Sequence, residues 1–267
     1  MKKQLPVGYD SFKKLISENL YYVDKPLIIK DILDRKSQVN LFTRPRRFGK
    51  TLTLSMLQTF FENTKDNRDF FEGLKIMDAG EEYISHMGKY PVISLSLKSA
   101  KQPSFKMAYD SILDEIAKEF KRYAEILDSS KLLDSEKKQY YRIMEKTAKD
   151  IEYAKALEYL SSCLTKVYEQ DTIILIDEYD VPLENAYFTG FYQEMIGFLR
   201  SLFESALKTN ENLKVQKMLS NRELSKKISD ASFYEIIRQL QYKSRFKGKM
   251  FYQIDTYYPS NQECSYK

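Results

Sequence analysis

Gly49, Lys50 and Thr51 stand side by side at the end of TRPRRFGKT, residues 43–51, and much later Asp177 and Glu178 close the run DTIILIDE. Those residue types suit the chemistry of phosphate and metal. Several backbone N–H groups at a helix N-terminus, aided by the macrodipole, can hold one anion. Gly49 would permit the close approach, Lys50 would reach the β- and γ-phosphates of a nucleotide, and the Thr51 hydroxyl would help hold Mg2+. Asp177 would fix the Mg2+ shell, and Glu178 would orient an attacking water. The candidate cradle comprises Arg44, Pro45, Arg46, Arg47, Phe48, Gly49, Lys50, Thr51 and Leu52, with Lys50 and Glu178 as catalytic candidates and Thr51 and Asp177 as metal ligands. The general pattern places glycine where Arg44 stands, and Pro45 offers one backbone donor fewer. Guanidinium groups suit the phosphates of a nucleotide or of a nucleic acid, but a tightly bent loop would place Arg44, Arg46 and Arg47 beside the nucleotide, which favours nucleotide contact or local pairing with Asp180.

Three residues in a row match by chance, so the weight lies with the elements that must position them. An apolar strand, Val39–Phe42, precedes the loop, and KTLTLSMLQTFFE follows as a helix with Leu54, Leu57 and Phe61 on one face. SFKKLISEN and PLIIKDILDR read as helices on either side of an extended LYYVDK. Tyr90–Leu97 is β-branched and apolar, as is Ile173–Ile176, the composition of buried parallel strands. Between them, Ser104 is placed to cap a helix striped with Ile112, Ile116, Phe120 and Tyr123. Residues 129–150 read as an exposed helical excursion, and residues 151–170 as one amphipathic helix with Ala156, Leu160, Cys163 and Val167 inward. A last helix, Gln193–Leu207, carries Leu199, Leu202, Phe203 and Ala206. Strand alternating with helix predicts an α/β fold with a parallel sheet flanked by helices.

The 267 residues, 43% apolar and 30% charged, suffice for a full core and predict a folded chain. No apolar run is long enough to span a membrane and MKKQLPVGYD has no signal-peptide core, so a cytoplasmic protein without membrane contact is expected. Two distant cysteines, Cys163 and Cys264, give neither a disulfide framework nor a metal site, and Cys163 reads as core. The lone His86 reads as a surface residue. The whole net charge of +5 falls from Asn210 onward, where Lys and Arg number 11 and Asp and Glu number 6.

PVGYDSFKKLISENLYYVDKPLIIKDIL, LFTRPRRFGKTLTLSMLQTFFE, PVISLSL and ILIDEYDVPLENAY, in that order, closely resemble the bacterial AAA-ATPase-like family, whose members usually end in a PD-(D/E)XK nuclease-like domain. The resemblance covers residues 4–209, and in that family TRPRRFGKT is the ordinary form of the loop. It implies ATP and Mg2+ as ligands and a P-loop fold of the additional-strand type. It also implies a further strand, carrying a polar sensor residue, between Val39–Phe42 and Ile173–Ile176, and no such strand follows residue 209. The expected domain is therefore a truncated P-loop domain, residues 1–209, with an incomplete sheet.

Residues 210–267 resemble instead the C-terminal part of TnpB-type (OrfB) insertion-sequence transposases, through ISDASFYEIIRQLQYKS, a strand, and YPSNQECS, with the joint near Asn210–Leu213. That resemblance implies a short basic α+β tail without its own chemistry. Of the family's metal-binding carboxylates only Glu211 is matched, and the cysteine partner expected after Cys264 is missing. Arg238, Lys243, Arg245, Lys247 and Lys249 would give weak, salt-sensitive nucleic-acid contact, or the segment is a fragment without purpose. Lys249–Asp255 has the strand propensity to replace the missing strand. The expected function is ATP binding with residual or absent hydrolysis. The alternative is a fusion product that is inactive or serves only in interaction. Partners beyond nucleotide, and the oligomeric state, are not given by the sequence.

Overall fold

The computed structural model describes residues 3–35, 40, 49–63, 66–207 and 210, all within one compact unit, Met1–Ser220. All of the expected strand Val39–Phe42 except Asn40 lies outside the described residues, as does everything expected of residues 211–267, including Glu211, Lys249–Asp255 and Cys264.

In chain order come α1 (Phe12–Ser17), α2 (Leu27–Arg35), α3 (Lys50–Phe61), α4 (Glu81–Ile84), β1 (Val92–Ser96), α5 (Phe105–Arg122), α6 (Asp134–Met144), α7 (Asp150–Ala154), α8 (Ala156–Tyr168), β2 (Ile173–Asp177), α9 (Val181–Thr189) and α10 (Tyr192–Leu207). Among the described residues this is a helix-rich mixed α/β arrangement around a two-stranded parallel sheet. The strands pair in register from Val92 opposite Ile173 to Ser96 opposite Asp177. Local chemistry sets the helix starts: Ser104 Oγ accepts from the Met107 N–H at the head of α5, as expected, and Ser11 Oγ accepts from Lys14 N–H at α1.

Hydrogen bonds from Ile173 N–H to Pro91 O and from Leu97 N–H to Asp177 O, both 3.0 Å, fix the phase of the ladder. The backbone groups of Val92 and Ser94 therefore face away from β2, and those of Ile174 and Ile176 face away from β1. The end of α5 covers the outer edge of β1. Tyr123 Oη donates to Val92 O at 2.9 Å and accepts from Val92 N–H at 2.8 Å, and Glu119 Oε2 accepts from Ser94 N–H at 2.9 Å. The Arg122 guanidinium bonds Val92 O, pairs with Glu62, and meets Glu119 Oε2 at 2.6 Å. Burial works most strongly against the Arg122 charge, but the hydrogen bond to Glu119 together with the charges of Glu119 and Glu62 outweighs it and raises the guanidinium above its ordinary range. Burial likewise pushes the Tyr123 phenol up, against the pull of Arg122.

One core lies between α1, α2, α3 and the sheet, where Phe12, Ile29, Met56, Leu57, Phe60, Val92 and Leu175 are buried together. α5 packs on β1, with α6, α8 and α10 against it, and Ile112, Ile116, Phe120, Leu160 and Leu199 are buried there. Cys163 sits in this region at 2% exposure, and burial pushes its thiol up to about 11.

Three sequence expectations are corrected. Residues 129–150 are not an exposed excursion throughout, because α6 buries Tyr140 and Ile143. The Tyr140 ring lies 4.7 Å from Phe120 and its hydroxyl donates to Phe120 O. The helix expected over 151–170 divides at Lys155: Ser205 Oγ of α10 takes the Ala154 carbonyl at 3.0 Å, and α8 starts afresh with Tyr159 N–H on Lys155 O. His86 is half-buried rather than on the surface, its ring stacked on Tyr90 and its Nδ1 2.5 Å from the Tyr90 hydroxyl. Among the described residues no helix is long and apolar enough to cross a membrane.

Candidate functional site

α3 begins at Lys50 behind Gly49, which sits at φ 75° and ψ 29° in the left-handed region that glycine tolerates and most residues do not. Gly49 O accepts the first helical bond, from Thr53 N–H, and a second from Thr53 Oγ1, both at 2.9 Å. Among the described residues no side chain caps this end. There the N–H groups of Lys50, Thr51 and Leu52 precede the first intrahelical donor, as groups that could serve a ligand do. Leu52 packs its side chain against the core, anchoring the turn, while Thr51 is exposed and Lys50 half-buried.

The far end of α3 is tied to the chain entering β1. Gly88 N–H donates to Phe60 O at 2.8 Å, Tyr90 N–H to Phe61 O at 2.9 Å, and Asn63 N–H to Tyr90 O at 3.0 Å. From there α3 runs back along both strands. Its 12 residues span about 18 Å and each five-residue strand about 16 Å, so Lys50 lies at the end of the sheet where Asp177 closes β2. Side-chain alternation brings Asp177 to the α3 side, two positions beyond Leu175, which packs with Met56, Leu57 and Phe60.

At the tip of β2 the chain turns sharply. Glu178 takes a left-handed φ of 53°, and its N–H donates to Asp177 Oδ1 at 2.9 Å. That bond fixes the carboxylate and leaves Oδ2 for another partner. Val181 N–H then closes on Glu178 O at 3.1 Å and α9 begins, with Pro182 in its first turn. Asn185 of α9 bonds the Gln102 carbonyl in the segment after β1, which fastens α9 beside the sheet end.

Of the candidate residues, the direction of α3 sets Gly49, Lys50, Thr51 and Leu52 toward the end of the sheet that Asp177 and Glu178 close. Arg44, Pro45, Arg46, Arg47 and Phe48 lie outside the described residues, so the expected pairing of an arginine with Asp180 does too. One residue was missed from sequence. Lys25, in the segment before α2, places its Nζ 3.6 Å from where a Cβ on Gly49 would stand. Its only sequence signal is a charged pair, Asp24 and Lys25, ending the aromatic stretch LYYV. Among the described residues no three His, Cys, Asp or Glu side chains gather as a metal site.

The fold defines a mixed α/β protein in which a lysine-headed helix runs toward the end of a parallel sheet closed by a carboxylate pair. A family model described as AAA-ATPase-like, predicted AAA-ATPase, matches residues 6–221, and the chain belongs to that family. The match runs past the Asn210–Leu213 joint expected from the sequence. A protein of Azotobacter chroococcum mcd 1, described as an uncharacterized protein in the vnfD 5′ region, is 33% identical over 96 residues. That alignment covers 36% of this chain and 17% of that protein, so the chain matches about a sixth of its relative's length. No solved structure matches the chain.

Proposed function

We propose that the chain binds Mg·ATP through a P-loop. The single observation that carries this reading is the start of α3 at left-handed Gly49, with Lys50 first, at the sheet end that Asp177 closes. The N–H groups of residues 50–52 would hold phosphate oxygens, and Lys50 would reach the β- and γ-phosphates. The donors fit a hard cation that keeps most of its waters: the Thr51 hydroxyl and the free Oδ2 of Asp177. Mg2+ bound there would neutralise charge on the β- and γ-phosphate oxygens. Glu178 would accept a hydrogen bond from the water that attacks the γ-phosphate. Hydrolysis is proposed to be slow or absent. Two points support this: the outer edge of β2, at Ile174 and Ile176, has no capping strand or side chain among the described residues, and the family resemblance implies a sensor strand next to it.

The test is a thermal-shift titration of the full chain. Millimolar Mg·ATP should raise Tm, and Lys50→Ala should abolish the rise. A wild-type Tm indifferent to nucleotide would defeat the reading.

A further inference from the structure

We propose that Lys25 is a second lysine of this site, contacting the nucleotide's polyphosphate beside Lys50. The proposal rests on the nucleotide reading above and names a binding residue that reading does not include. Lys25 precedes Pro26 at the entrance to α2, and its Nζ lies over Gly49 in the space a Cβ would nearly touch, 3.6 Å away. A phosphate bound by the amides that follow Gly49 would therefore sit within reach of this ammonium.

The electrostatics favour a ligand there. Among the described residues no carboxylate forms an ion pair with Lys25 or Lys50. Asp24, the nearest acid in sequence, is engaged elsewhere, its Oδ2 accepting from Lys75 N–H at 3.2 Å while Oδ1 is buried. Two ammonium groups thus share the positive end of a 12-residue helix. Like charges gathered at a helix N-terminus repel one another, and a polyphosphate placed between them adds an attraction to each that offsets the repulsion. Lys25 arrives on a different segment from the loop itself, so it would clamp the phosphates from outside the cradle. The same cation would tie the α1–α2 region to the nucleotide, since Ile29 of α2 lies in the core with Met56 of α3.

The test compares the full-length wild type with Lys25→Met, Lys25→Arg and Lys50→Ala, measuring Mg·ATP and Mg·ADP affinity by titration and Tm without nucleotide. Lys25→Met should bind both nucleotides about tenfold or more weakly, the loss expected for a charge-assisted hydrogen bond. Lys25→Arg should stay within about threefold of wild type, and the nucleotide-free Tm of Lys25→Met should be unchanged or higher, because an unpaired cation has left a positive helix end. Wild-type affinity in Lys25→Met, with binding lost in Lys50→Ala, would overturn the role of Lys25 and leave the nucleotide site standing. A lower nucleotide-free Tm in Lys25→Met would assign Lys25 to folding and also overturn it. No nucleotide binding by the wild type would remove both readings together.

Discussion

At the scale of single residues, Glu178 carries two demands at once. It stands at φ 53°, where a side chain costs about 1–2 kcal/mol relative to glycine, yet it is the acid placed after Asp177. Glu178→Ala and Glu178→Gly both remove the carboxylate, but only glycine removes the backbone strain. The glycine variant should be the more stable by about 1 kcal/mol in urea unfolding, and neither should release phosphate from ATP. Equal stability would mean that the left-handed turn is not held in solution. The acid pair was legible in the sequence because two carboxylates ending an apolar strand are a chemical pattern. The left-handed turn was not, because nothing about glutamate announces it. Lys25 was hidden for another reason: its partner is Gly49, remote in sequence and lacking any side chain to suggest a match.

At the scale of elements, α5 does more than bury an apolar stripe. Ile112, Ile116, Phe120 and Tyr123 were legible as that stripe from their spacing, and all four are fully buried. Periodicity reports which face is inward, but not what a polar tip meets there, so the bonds from Tyr123, Arg122 and Glu119 to the β1 backbone were not foreseen. Arg122→Ala would leave Glu62 and Glu119 buried without their cation and should cost about 3 kcal/mol, close to the usual cost of breaking a buried pair from one side. Tyr123→Phe keeps the ring and orphans the Val92 N–H, while Arg122 still holds Val92 O, and should cost about 1–3 kcal/mol. Urea unfolding of the two variants measures both. A Tyr123→Phe variant costlier than Arg122→Ala would place the weight of this edge on the phenol rather than the ion pair.

At the scale of the whole molecule, the two short apolar strands and their parallel sense were legible from composition and from their alternation with helices, but that they are direct neighbours was not. The tight docking of α6 was not, because Tyr140 and Ile143 are diluted in a highly charged stretch. Hydrogen exchange on the nucleotide-free chain should separate alternate residues of β2. The amides of Leu175 and Asp177, which face β1, should exchange at least about 100-fold more slowly than those of Ile174 and Ile176, which face away. Uniform protection along β2 would mean that a further strand covers it. The asymmetry of the two edges also governs how copies of this chain can meet. α5 side chains occupy the outward Val92 N–H and C=O and the Ser94 N–H of β1, which hinders a foreign strand from pairing there. Among the described residues only the β2 edge offers its backbone groups without such cover, so any strand pairing between two copies through this sheet would run β2 to β2 about a twofold axis and would not propagate.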